Sequence, residues 1–144
     1  MKKLAVSIGV LVIAIVAGIV LLIVPGNSQA PTTNIDPHAD LIVVDSPKTA
    51  SIVSSPLVVS GKARGTWYFE ASFPVELLDA QGTAIAQTPA KAQGDWMTTE
   101  FVPFTVTLSF AKQPVGSHGT LILKKDNPSG DPAHEDSLSI PILF

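Results

Sequence analysis

The chain has 144 residues, 46% of them hydrophobic and 15% charged, and it contains no cysteine. The missing cysteine excludes a disulfide framework, a thiolate metal centre, a thiol nucleophile and a lipidated N-terminal cysteine. Beyond residue 24, seven Lys and Arg stand against twelve Asp and Glu, so the chain lacks the basic stripe with which a nucleic-acid binder displaces counterions.

Lys2 and Lys3 precede an uncharged run from Leu4 to Val24. As a helix rising 1.5 Å per residue that run would span ~31 Å, about the thickness of a bilayer's hydrocarbon core. Residues 1–24 therefore read as a transmembrane anchor or, because Ser28-Gln29-Ala30 has the small-x-small form of a cleavage site, as a secretory signal. The lysines lie before the helix and Asp36 and Asp40 after it, which places the N-terminus inside and the rest outside the cytoplasmic membrane, secreted if the segment is cleaved. Residues 25–40, rich in proline and small polar side chains, read as a flexible stalk.

From Leu41 the hydrophobic period is two. Phe69, Ala71, Phe73, Val75 and Leu77 alternate with Glu70, Ser72 and Glu76; Phe104, Val106, Leu108 and Phe110 alternate with Thr105, Thr107 and Ser109. Leu138, Ile140, Ile142 and Phe144 repeat the pattern. Each is the signature of a half-buried strand. Shorter apolar runs at 41–44, 57–59, 84–86 and 121–123 bring the number to seven, separated by turn clusters such as Asp79-Ala80-Gln81-Gly82 and Asn127-Pro128-Ser129-Gly130. Seven short strands without a convincing helix predict an all-β, immunoglobulin-like β-sandwich over residues 41–144. Pro74 and Pro141 fall inside strand-like runs and belong on edges or at bulges, since proline has no N–H to give to a ladder.

Ser55-Pro56-Leu57-Val58-Val59-Ser60-Gly61-Lys62-Ala63-Arg64-Gly65, then Phe69 to Phe73 leading into Leu77-Leu78-Asp79-Ala80-Gln81-Gly82, resemble the spore-germination-associated immunoglobulin-like domain of bacteria. Gly94-Asp95-Trp96, Pro103-Phe104, Lys125 to Gly130 and Ile140-Pro141-Ile142 continue the likeness, which covers about residues 41–144. The resemblance implies an extracytoplasmic sandwich domain of envelope proteins, with no catalytic residues to carry over.

Candidate sites are few. Strand parity puts Trp67 in the core with Phe69 and Phe73, and puts Tyr68 on the polar face beside Glu70, where it becomes the leading contact residue. Trp96, after a Gly-Asp turn, is the second. The loop 125–136 gathers Asp126, Asp131, Glu135 and Asp136, which are calcium candidates by composition although their spacing does not match a regular calcium loop. His38, His118 and His134 are far apart, there is no HExxH or G-x-S-x-G pattern, and Glu70 and Glu76 on one strand would stand ~20 Å apart. The sequence thus predicts a non-catalytic module without a cofactor, held to the membrane by its N-terminal helix. Its expected partner is an envelope protein, with cell-wall glycan binding or a purely structural spacer as alternatives.

Overall fold

The computed structural model describes residues 37–144. The apolar block, and the anchor, signal and stalk readings of residues 1–36, lie outside the described residues. Among the described residues no helix is long and apolar enough to cross a membrane.

Seven strands follow one another: β1 (Ile42–Ser46), β2 (Leu57–Arg64), β3 (Ser72–Leu78), β4 (Ala84–Ala92), β5 (Phe101–Leu108), β6 (His118–Lys124) and β7 (Ser137–Leu143). Single 3-10 turns occur at Gly65–Trp67 and Pro132–His134. All strand pairs are antiparallel, in the order β1-β2-β5-β4-β3-β6-β7. The ladder folds over at β4, which pairs along its length with β3 but meets β5 only at Lys91 and Ala92. Phe73 of β3 and Phe104 of β5 meet edge-to-face at 5.0 Å, although β4 separates their strands in the ladder, so they face each other across a sandwich. On the outer edge of β7 the chain after β1 adds a parallel bridge, Ile52 to Leu143.

Alternation explains the core. Leu57, Val59, Gly61 and Ala63 of β2, Phe73, Val75 and Leu77 of β3, Val102, Phe104, Val106 and Leu108 of β5, and Leu121 and Leu123 of β6 all turn inward and are buried. Gly61 is required by a close approach: a Cβ there would overlap the carbonyl oxygen of Val43 on β1.

The predicted strands are present with shifted bounds. Phe69 and Ala71 are outside β3, because Phe69 and Ser72 exchange backbone hydrogen bonds across Glu70 and Ala71, at φ 47° and 61°. That is a two-residue hairpin turn with both central residues at positive φ. Pro141 sits on β7, the last strand of the order. Pro74, predicted for an edge or a bulge, is on the interior strand β3, opposite Pro89. Alternating outward from the Ala92 N–H to Ala71 carbonyl bond, this pair falls on a position that exchanges no ladder bonds. On the side away from β4 the pairing with β6 begins only at Val75, so the missing N–H of Pro74 falls at the end of that ladder.

Candidate functional site

Tyr68 is not on the polar face. Its side chain is 4% exposed, packs edge-to-face on Phe73 at 5.1 Å, and donates its hydroxyl to the Val102 carbonyl at 2.8 Å. Burial pushes its pKa from 10.0 up to about 12, with a backbone hydrogen bond from Ala63 partly offsetting the rise. Ala63 and Val102 are cross-strand partners in β2 and β5, so the phenol plugs into the end of that ladder. Parity failed because the 3-10 turn Gly65–Trp67 and the tight turn at Glu70-Ala71 isolate Tyr68 from the strand that was to set its face.

Trp67 is buried as parity expects, but its indole N–H has no hydrogen-bond partner among the described residues. Its ring meets His38 edge-on at 6.3 Å. His38 Nε2 in turn lies 2.8 Å from Asp136 Oδ1, which joins two residues that the sequence leaves far apart. Arg64 reaches back to the same segment, its Nε donating to the Asp40 carbonyl. The turn at residues 37–40 is thus fastened to the sandwich.

The aromatic that does reach solvent is Phe69, 40% exposed, lifted out of β3 by the tight turn that follows it. Trp96 stands against it at 6.5 Å with 67° between the ring planes, half-buried on the rim of the core. Met97, 78% exposed, extends the apolar surface. The loop from Gln93 to Glu100 is held by its own polar atoms: Asp95 Oδ1 accepts from the Met97 N–H, and the Thr98 N–H donates to the Trp96 carbonyl. It is also strapped to β2, where Arg64 Nη1 donates to the Thr99 carbonyl and the guanidinium stacks 4.1 Å over Phe101. Gly65 fits beneath it, since a Cβ would overlap the carbonyl oxygens of Thr98 and Trp96. Charged residues adjoin these aromatics in the chain, Glu70 after Phe69 and Asp95 before Trp96, and Glu100 stands 3.8 Å from Arg64 at the end of the loop.

The acidic loop does not assemble a calcium cage. Asp131 Oδ1 caps the Pro132–His134 turn by accepting from the Ala133 N–H, while Asp136 accepts from Ser137 and holds His38. Asp126, Glu135 and Asp136 do border one groove of about 620 Å³, but together with Lys124 and Lys125, and Asp131 is not among its lining residues. Among the described residues no three His, Cys, Asp or Glu side chains converge as a metal site would need. Glu70 and Glu76 are not strand neighbours either: Glu70 is in the tight turn, and Glu76 pairs with Lys124 at 2.7 Å.

Of the two aromatic candidates, Trp96 belongs to an exposed surface and Tyr68 does not. Phe69 and Met97 complete it. No sequence feature marked the turn that exposes Phe69, because neither Glu70 nor Ala71 is an ordinary turn former.

The ladder order and the parallel closing bridge define an immunoglobulin-like sandwich. The sequence pattern of the immunoglobulin-like domain of bacterial spore germination matches residues 41–131, more than half of the chain, and the chain belongs to that family. The match ends within the acidic loop, before β7. No curated protein and no solved structure matches the chain.

Proposed function

We propose that the protein is a non-catalytic binding module, displayed outside the cytoplasmic membrane on an N-terminal anchor, that docks another envelope protein through the pole carrying Phe69, Trp96 and Met97. The observation that carries this reading is the cluster itself: three large apolar side chains, two of them exposed, presented on a loop and a turn that are braced from beneath. A water-facing apolar group rimmed by charged side chains has the anatomy of a protein-docking surface. The uncharged run Leu4 to Val24 behind Lys2 and Lys3 supports the anchor and its direction. The glycan alternative is weaker, because the 67° between the Phe69 and Trp96 planes gives a sugar no common flat face to stack on.

A photo-reactive residue in place of Met97 should cross-link to a discrete envelope protein in intact cells, and Phe69→Ala added to it should sharply reduce the same product at unchanged protein level. Cross-linking to cell-wall polymer, or none above that of an exposed control position such as Gln81, would overturn the reading.

A further inference from the structure

We infer that Arg64 is a positioning residue that couples the turn by which the chain enters the domain to the loop presenting Trp96 and Met97, so that the docking surface is whole only while the entry turn is in place. Its bearing on docking rests on the role proposed above for that surface, whereas the coupling is a property of the domain alone. Arg64 closes β2, and its guanidinium holds two backbone segments at once: Nε donates to the Asp40 carbonyl at 3.0 Å and Nη1 to the Thr99 carbonyl at 3.2 Å. The same group lies 4.1 Å from the centre of the Phe101 ring, and Phe101 is the cross-strand partner of Arg64 on β5.

The loop depends on that contact because most of its own hydrogen bonds are internal. Asp95 Oδ1 accepts from the Met97 N–H, the Thr98 N–H donates to the Trp96 carbonyl, and Thr98 Oγ1 accepts from the Glu100 N–H. Among the described residues, three hydrogen bonds tie the loop to the rest of the domain: the Gln93 N–H to the Pro103 carbonyl, the Gly65 N–H to the Glu100 carbonyl, and Arg64 to Thr99. The first two are backbone bonds at the two ends of the loop. The third comes from a side chain that holds a second segment as well.

The entry turn is built in the same way. Leu41 and Ile42 both donate backbone N–H groups to the His38 carbonyl, which closes it, and His38 Nε2, 2.8 Å from Asp136 Oδ1, fastens it to the start of β7. A guanidinium is a planar fork whose donors keep fixed directions, and the Phe101 ring against it limits its tilt. Displacement of Asp40 therefore turns the fork and lengthens its bond to Thr99. Displacement of the loop acts on Asp40 by the same route, since coupling between two sites is reciprocal. A lysine ammonium, a point charge on a flexible stem, fixes no such direction between the two carbonyls. A pull on the chain where it enters at Pro37, or a ligand that dislodges the entry turn, would thus be felt at the docking surface.

Hydrogen exchange of single amides, followed in the full chain in lipid nanodiscs, tests the coupling without a partner. His38→Ala, or Asp136→Ala if the first variant is unstable, should speed exchange of the Thr98 amide by about fivefold while Val59 and Val106, paired in the β2–β5 ladder, keep their rates. Arg64→Lys should do the same, and His38→Ala added to it should bring no further change at Thr98, because the route is already cut. In the other direction, Asp95→Ala should speed exchange at Leu41 and Ile42, and should cease to do so in the Arg64→Lys background. An unchanged Thr98 amide in His38→Ala, multiplying effects in the double variant, or equal acceleration throughout the core would overturn the coupling, the last by making Arg64 a contributor to general stability alone. In cells, Arg64→Lys should lower the Met97 cross-link to the envelope protein. Undiminished product would overturn regulation by the entry turn, whereas no product above the Gln81 control, with the exchange coupling intact, would overturn the docking role and leave the coupling standing.

Discussion

Tyr68 is the one tyrosine in the chain, so its ionisation can be followed directly by tyrosinate absorbance. With the folded pKa raised to about 12 against 10.0 for the free side chain, the native state holds its proton where the unfolded chain has released it. Stability from this group is therefore complete below pH ~10 and falls as pH rises from about 10 to about 12, by roughly 2–3 kcal/mol in all. The absorbance midpoint of the native protein should lie near 12, and in concentrated denaturant it should return to about 10. A native midpoint at the ordinary value would place the phenol in water. Tyr68→Phe should remove this alkaline loss relative to wild type, yet cost about 1 kcal/mol at neutral pH by leaving the Val102 carbonyl without its donor. Phe73→Ala, emptying the space between Tyr68 and Phe104, should cost about 3–5 kcal/mol in denaturant unfolding. Phe73 was legible in the sequence because its neighbours Val75 and Leu77 share an uninterrupted strand. Tyr68 was not, since parity carries no meaning across two turns.

At the level of elements, the same interruption has a measurable cost. Glu70 and Ala71 hold φ at 47° and 61°, a region where side chains with a Cβ are disfavoured and glycine or asparagine is at ease. Ala71→Gly should raise stability by about 0.5–1 kcal/mol despite the added freedom of the unfolded chain, read as a higher denaturation midpoint with unchanged slope. A loss of stability would mean that the turn is not strained at Ala71. Seven strands could be found in the sequence because alternation over each run was clean, as with Val102 to Leu108 and Phe73 to Leu77. Their ends could not, since β2 continues through Gly61 and Lys62 to Arg64 and β4 through Pro89 to Ala92, residues that read as strand breakers or polar turn material. The two prolines opposite each other in β3 and β4 are tolerated by a register that no single strand reveals. The exposed pole escaped for a similar reason: Met97 gives no period, and Phe69 looks like core until the turn after it is known.

For the whole domain, the decisive boundary is its beginning. Residues 37–40 read as the end of a stalk, yet Leu41 and Ile42 both donate backbone N–H groups to the His38 carbonyl, His38 holds Asp136 at the start of β7, and Arg64 grips the Asp40 carbonyl. His38 also covers one edge of buried Trp67. An excised domain comprising residues 37–144 should therefore fold on its own, with a β-type circular dichroism spectrum, and a chelator should not alter its unfolding midpoint. The fragment 41–144 should fold too, because every strand is intact, but be less stable by about 1–2 kcal/mol. A partly exposed side-chain hydrogen bond contributes up to ~1 kcal/mol, and the two backbone hydrogen bonds add a comparable amount after their ordering cost. Urea unfolding of the two fragments side by side measures the difference, and His38→Ala in the longer fragment should recover part of it. Equal midpoints would show that the turn rests on the sandwich without supporting it. Failure of both fragments to fold would mean that the residues before Pro37 are part of the cooperative unit.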